Sequence, residues 1–161
     1  MMDAAFGDYS QKLNVVALME KRGGANSASP EFAKLRGARF VHMEEPDESE
    51  NSKLNHGLMK EWTGGSKITA RPLYGKPITF RPMFKLCMAC NTFPNIENEP
   101  ATWRRIRAIE FISKFTSDPS LLSNPEQFPN HFPKDEGLRE ENVLLELAPA
   151  FMSLMVKYYK K

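Results

Sequence analysis

The sequence predicts an α/β domain built around a central sheet, and three observations carry that prediction. Short apolar, β-prone runs recur at 38–43, 84–90 and 106–112. Segments with helical spacing alternate with them. Two β-prone runs flank a Pro/Gly-rich turn at 67–80 and break the alternation as a hairpin.

The elements follow in order. Residues 10–20, SQKLNVVALME, place Leu13, Val16, Ala17 and Glu20 at helical spacing, which predicts a helix. KRGGANSASP at 21–30 has loop composition. Ser29 can cap a short helix, Pro30 suits its first position, and Gly37 ends it. ARFVHM at 38–43 is a buried strand with acids directly after it. Residues 50–62 form an amphipathic helix with Leu54, Leu58 and Trp62 on one face, stopped by Gly64-Gly65. After the hairpin, FKLCMAC at 84–90 is a second buried strand, ended by Asn91-Thr92, and IRAIEFI at 106–112 is a third. Residues 116–137 are rich in Pro, Asn, Ser and Asp and predict an irregular crossing segment. From about Leu138 to Tyr159 the spacing is helical, with Pro149 expected to kink or divide the helix.

Composition bounds the function. With 161 residues, 41% of them apolar, the chain can bury a real core, which argues against wholesale disorder. Its charge is unevenly spread. Residues 44–50, EEPDESE, hold five acids in seven positions. Residues 62–96 hold none, yet carry Lys67, Arg71, Lys76, Arg81 and Lys85. Such a stretch favours an anionic partner. No apolar run approaches the ~20 residues of a membrane span, so no membrane role is expected. The first residues lack the basic and apolar regions of a signal peptide. The two cysteines are too few for a disulfide framework, and an intracellular setting fits all of this.

Four constellations can carry chemistry. The strand end FVHMEEP delivers Glu44 and Glu45 at a carboxyl-terminal sheet edge, where one carboxylate can hold Mg²⁺ through water and the other can polarise an attacking water. An acidic surface loop is the plainer alternative for Glu44–Glu45. The strand end LCMACN places Asn91 where its amide can meet a γ-phosphate, provided the two strands are neighbours. An ordinary turn residue is the alternative there. In the hairpin, Lys67, Arg71 and Lys76 cluster with Tyr74, so cations can meet phosphates while the aromatic stacks on a base. A solvated basic hairpin is the alternative. In TWRRIRAIEF the arginines lie just before or within a strand, on which Arg105 and Arg107 would share a face. An arginine offered across a subunit boundary can neutralise transition-state charge, whereas plain ion pairing with the acidic stretch is the alternative. Cys87 and Cys90, three apart in a strand, point to opposite faces and do not suit one zinc. His42, His56 and His131 adjoin no convincing nucleophile.

Taken in order, these segments resemble the superfamily 3 helicases, above all the primase–helicase proteins of large DNA viruses and of some phages and plasmids. The resemblance runs over about residues 6–160, from KLRGARFVHMEEPDESENSKLNHGLMKEWTGGSKITARPLYGKPITFRPMFKLCMACNTFP through WRRIRAIEF to the tail NHFPKDEGLREENVLLELAPAFMSLMVKYYKK. It implies a truncated AAA+-like P-loop ATPase core over 1–115, from Walker B to arginine finger, and a C-terminal extension over 116–161 that ends in helix. It implies that Glu45, with Glu44 beside it, handles Mg²⁺ and water, that Asn91 is the sensor residue, and that Lys60 lies near the phosphates. It implies that Lys67 and Arg71 lie in the loop that reaches DNA, and that Arg105, with Arg104 as second choice, acts in trans within a hexameric ring. The implied reaction is ATP hydrolysis coupled to DNA unwinding during replication, encoded by a virus or phage and carried out in the host cell. The sequence departs from the family in one respect. It contains no Gly-Lys-Ser or Gly-Lys-Thr, the loop whose backbone N–H groups and lysine cradle the β/γ-phosphates. The chain alone is therefore expected to hydrolyse little ATP. The alternative is a non-catalytic DNA-binding or assembly fragment from a truncated or split gene.

Overall fold

The computed structural model describes residues 1–19, 28–44, 54–93 and 99–160. Within them the chain runs α1 (Met2–Phe6), β1 (Ser10–Lys12), α2 (Pro30–Ala33), β2 (Phe40–Met43), α3 (His56–Thr63), β3 (Ile68–Ala70), β4 (Ile78–Phe80), β5 (Lys85–Met88), α4 (Pro100–Trp103), β6 (Lys114–Thr116), α5 (Pro119–Leu122), β7 (His131–Pro133) and α6 (Glu141–Tyr159). The protein is mixed α/β with small parallel sheets. Two compact units divide it, one comprising Met2 and Phe6–Ile106, the other Met1, Asp3–Ala5 and Arg107–Lys161.

In the first unit, β1, β2 and β5 form a parallel sheet with β2 in the centre. Val41 faces Leu86 and Met43 faces Met88 across the β2–β5 pair. Alternation along β2 sends Val41 and Met43 into the core and leaves Phe40 and His42 half-buried on the other face. There Phe6 stacks on Phe40 at 6.0 Å and Phe40 on His42 at 5.9 Å. On the core side, Leu35 and Ala38 from the turn after α2, Leu58 and Trp62 from α3, and Ile68 and Ala70 from β3 pack with Val41 and Met43. Trp62 meets Phe32 and Phe84 edge-on, with centroids at 5.1 and 6.1 Å.

The strands predicted at 38–43 and 84–90 and the hairpin at 67–80 all form, but β5 is not the buried strand expected: it ends the sheet order β1-β2-β5, with Lys85 and Cys87 exposed and Leu86 and Met88 half-buried. β3 and β4 pair antiparallel, Ile68 opposite Phe80. The helix predicted over 50–62 forms as α3 from His56, with Asn55 accepting from the Leu58 N–H at 3.0 Å; residues 50–53 lie outside the described residues.

Four expectations need correction. Residues 10–19 are a strand followed by a 3-10 turn, not one helix. The Asn14 side chain accepts from the Val16 N–H at 3.0 Å and starts that turn. The residues that enter the core are Leu13, Val15 and Leu18, while Val16, on the expected helical stripe, is exposed. A neighbouring strand edge thus outweighs local spacing. Residues 106–112 are not a strand. Ile109 and Phe111 stand exposed, and pairing begins only at Lys114, whose N–H donates to the Asn130 C=O at 2.8 Å. Arg105 and Arg107 therefore share no strand face. Ser29 precedes α2 as expected but does not cap it through its side chain. Pro149 lies inside a continuous α6 rather than dividing it.

In the second unit, 116–137 is more regular than its composition predicts. β6 and β7 pair in parallel, with Phe115 opposite Phe132 and their rings at 5.9 Å. Asp118 caps α5 by accepting from the Ser120 N–H and hydroxyl, which holds its carboxyl below the ordinary value. Among the described residues, no helix is long and apolar enough to cross a membrane.

Candidate functional site

Parallel pairing brings the carboxyl ends of β1, β2 and β5 to one edge of the sheet. Lys12 ends β1, Glu44 follows β2, and Asn91 lies three residues past β5. The β2–β5 ladder continues to this edge, because the Ala89 N–H donates to the Met43 C=O at 3.0 Å. The Glu44 carboxylate meets the Lys12 ammonium at 2.5 Å. Lys34, just past α2, donates to the Lys12 C=O at 2.7 Å. Both members of the Lys12–Glu44 pair are well exposed, so its contribution to stability is small. Its chemical effect is larger: it holds a carboxylate at the edge with a cation beside it. Glu45 lies outside the described residues.

The hairpin has a buried base and an exposed tip. Ile68 and Ala70 enter the core, and Thr69 and Thr79 share a hydrogen bond of 2.9 Å across the strands. Ser29 ties the hairpin to the start of α2 where β3 runs into the turn: its N–H donates to the Arg71 C=O at 2.8 Å, and its hydroxyl accepts from the Arg71 N–H at 3.2 Å. This second bond is why Ser29 does not cap α2. At the tip, Arg71 Nε donates to the Gly75 C=O at 3.1 Å and braces the turn. Tyr74 is 98% exposed and adopts a left-handed backbone with φ of 59°. That conformation is uncommon for a bulky residue. Lys76, just before β4, lies in the same turn as Tyr74, whereas Lys67, just before β3, stands at the other end of the hairpin, beyond the Ile68–Phe80 pair.

Lys60 sits near the end of α3, where its ammonium meets Glu99 at 2.5 Å. The same carboxylate accepts from the Thr102 hydroxyl at 3.1 Å, and Thr102 Oγ1 lies 3.2 Å from His56 Nδ1. The hydrogen bond from Lys60 is the largest influence holding the Glu99 carboxyl below its ordinary value. Arg104 follows α4 directly, and the Arg105 guanidinium donates to the Ala101 C=O at 2.5 Å. A cation at a helix carboxyl end satisfies a carbonyl and suits the dipole. Both arginines thus leave from the end of a short helix.

Lys12, Ser29, Glu99 and Thr102 were not among the sequence-derived site residues. The Glu99-Pro100 pair was a readable signal, since Pro favours the first helical position. The Ser29–Arg71 and Lys12–Glu44 partners are 42 and 32 residues apart, and no local pattern announces either.

The fold and this edge define an α/β chain whose parallel strands bring Lys12 and Glu44 together, with Asn91 three residues past β5 and a basic hairpin and an arginine pair on the same unit. No family model matches the chain. It is 39% identical over its whole length to a segment of a protein named "Putative helicase" in Acanthamoeba polyphaga mimivirus, and it covers 17% of that protein. Identity to a "Putative helicase" of Frog virus 3 is 37% over 73% of the chain and 12% of the relative. Identity to a "Putative primase" of African swine fever virus is 28% over 95% of the chain and 15% of the relative. The chain is thus homologous to parts of proteins from large DNA viruses that carry helicase and primase names. It spans less than a fifth of the length of these relatives.

Proposed function

We propose that the chain is the Walker B-to-arginine-finger portion of a superfamily 3 replication helicase, a P-loop ATPase core that works on DNA as a hexameric ring. The single observation that carries this assignment is the parallel adjacency of β2 and β5. It puts the chain at Glu44, the residue before Glu45 in the sequence, at the same sheet edge from which the chain runs on to Asn91. The helicase and primase names of the viral relatives support the same assignment.

The residues present fit part of an ATP site. Carboxylate and amide oxygens suit a hard cation such as Mg²⁺, and Glu45 would hold it through water, with Glu44 beside it. Asn91 would meet the γ-phosphate, and Lys60 would reach the phosphates by exchanging its Glu99 partner for them. Arg105, with Arg104 as second choice, would neutralise charge on a neighbouring subunit's ATP. Lys67, Arg71, Tyr74 and Lys76 would contact DNA, the cations on phosphates and the ring on a base. The sequence supplies no Gly-Lys-Ser/Thr cradle for the phosphates. We therefore expect the chain by itself to bind DNA and to hydrolyse ATP at a negligible rate.

Anisotropy of a labelled single strand tests the DNA half. Affinity should fall steeply with salt, and Lys67→Ala/Arg71→Ala should weaken binding by about tenfold or more at low salt. No binding at low salt would remove DNA contact from the assignment. ATP release assays test the other half, because robust turnover that Glu45→Gln abolishes would show a complete site in this chain.

A further inference from the structure

A polar cluster between α3 and α4 ties together two parts of the proposed machine. His56 and Lys60 are four residues apart, so they project from one face of α3. Both meet the first turn of α4, Lys60 on Glu99 at 2.5 Å and His56 on Thr102 at 3.2 Å. Glu99 and Thr102 are themselves joined at 3.1 Å. Thr102 is fully buried although it is polar, so its hydroxyl depends on these two partners. The other attachment of α4 is aromatic: Trp103 stacks on Phe93 at 5.7 Å with the rings 10° from parallel. Phe93 lies two residues beyond Asn91.

α4 has only four residues, far too few to hold a helix unaided in water. Its position is set by what grips it. Arg104 and Arg105 extend directly from its end, so whatever moves α4 moves them. α3, in turn, is separated from the hairpin strand β3 only by residues 64–67, with Gly65 in a left-handed conformation. A path from the exposed basic tip thus runs back along β3 into α3 and from there across the Lys60 and His56 contacts to α4.

We propose that Glu99 and Thr102 are positioning residues that transmit DNA contact at the hairpin, through α3, to the placement of Arg104 and Arg105. This rests on the assignment of the hairpin to DNA and of the arginines to ATP. Lys60–Glu99 and His56–Thr102 both cross from α3 to α4, and the Thr102 hydroxyl braces Glu99 from the α4 side, so without nucleotide a displacement of α3 is passed on to α4.

Fluorine NMR of the chain carrying fluorotryptophan tests the coupling, because Trp103 sits on α4 and Trp62 on α3. A Trp103→Phe sample assigns the two signals. Addition of an oligo-dT single strand should shift the resonances of both Trp62, on α3, and Trp103, on α4. In Glu99→Gln and in Thr102→Val, DNA affinity by anisotropy should stay within about twofold while the Trp103 response is lost. Glu99→Asp should restore part of it. Binding with an undiminished Trp103 response in both variants overturns the coupling and leaves the DNA assignment standing. Binding without any Trp103 response in the unaltered chain overturns it equally. Absence of binding by anisotropy overturns the hairpin assignment, and the coupling falls with it.

Discussion

Glu99 titrates against a specific neighbourhood. Lys60, Thr102 and His56 face it, and the Lys60 hydrogen bond leads in holding its carboxyl below the ordinary carboxylate value. A carboxyl depressed in the folded state stabilises above its unfolded pKa, and that stabilisation disappears as pH falls through the folded value. The difference in urea midpoint between the unaltered chain and Glu99→Gln should therefore be present at neutral pH and shrink on acidification below the ordinary carboxylate range. A difference that persists or grows in acid would contradict this. Asn55 makes a simpler case. Its side chain accepts from the Leu58 N–H, so Asn55→Ala should cost about 1 kcal/mol in a denaturant titration. Leu35, 1% exposed within the core, should cost about 2–5 kcal/mol on truncation to Ala by the same measurement. Tyr74 separates fold from function. Its left-handed backbone favours glycine, so Tyr74→Gly should leave the urea midpoint unchanged or raised. The same substitution should lower single-strand affinity by about 1–3 kcal/mol if the ring stacks on a base. Unchanged affinity would remove Tyr74 from the interface.

At the scale of elements, the sequence was most legible where one pattern had one outcome. FVHM and KLCM are apolar, short and bounded by polar residues, and both became strands of one parallel sheet. The hairpin announced itself through its Pro/Gly turn and β-branched flanks. Legibility failed where tertiary pairing chose between local alternatives. Leu13 and Val16 fit a helix, yet β2 offered an open edge and Asn14 favoured a turn, so the segment became β1 and a 3-10 turn. Residues 106–112 have strand composition, but pairing is taken up by Lys114–Thr116 with His131–Pro133. The candidate site shows the same division. Glu44 and Asn91 were readable as strand-end residues, whereas their cationic and aromatic neighbours, Lys12 and Phe93, came only from the packing. The shared Ser29–Arg71 bonds predict an effect at this scale. Ser29→Ala should loosen the hairpin where β3 runs into its turn, seen as faster hydrogen exchange of the Arg71 amide, while the exchange of Val41 in the central strand stays unchanged.

At the scale of the molecule, charge separation organises the surface more than net charge does. The net value is +2, yet 35 consecutive residues carry bases without a single acid. Single-strand affinity should accordingly fall with salt at a slope of roughly 0.7 per phosphate contacted, and loss of both Lys67 and Arg71 should lessen that slope. A salt-independent affinity would place binding outside the basic hairpin. The attachment of that hairpin has a mechanical meaning as well. Ser29 stands at one end of α2 and Lys34 at the other, and Lys34 holds the Lys12 carbonyl beside the Glu44 ion pair. The bonds of Ser29 and Lys34 thus form one continuous link from the hairpin turn, through α2, to the Lys12 carbonyl at the sheet edge where the Glu44 carboxylate stands.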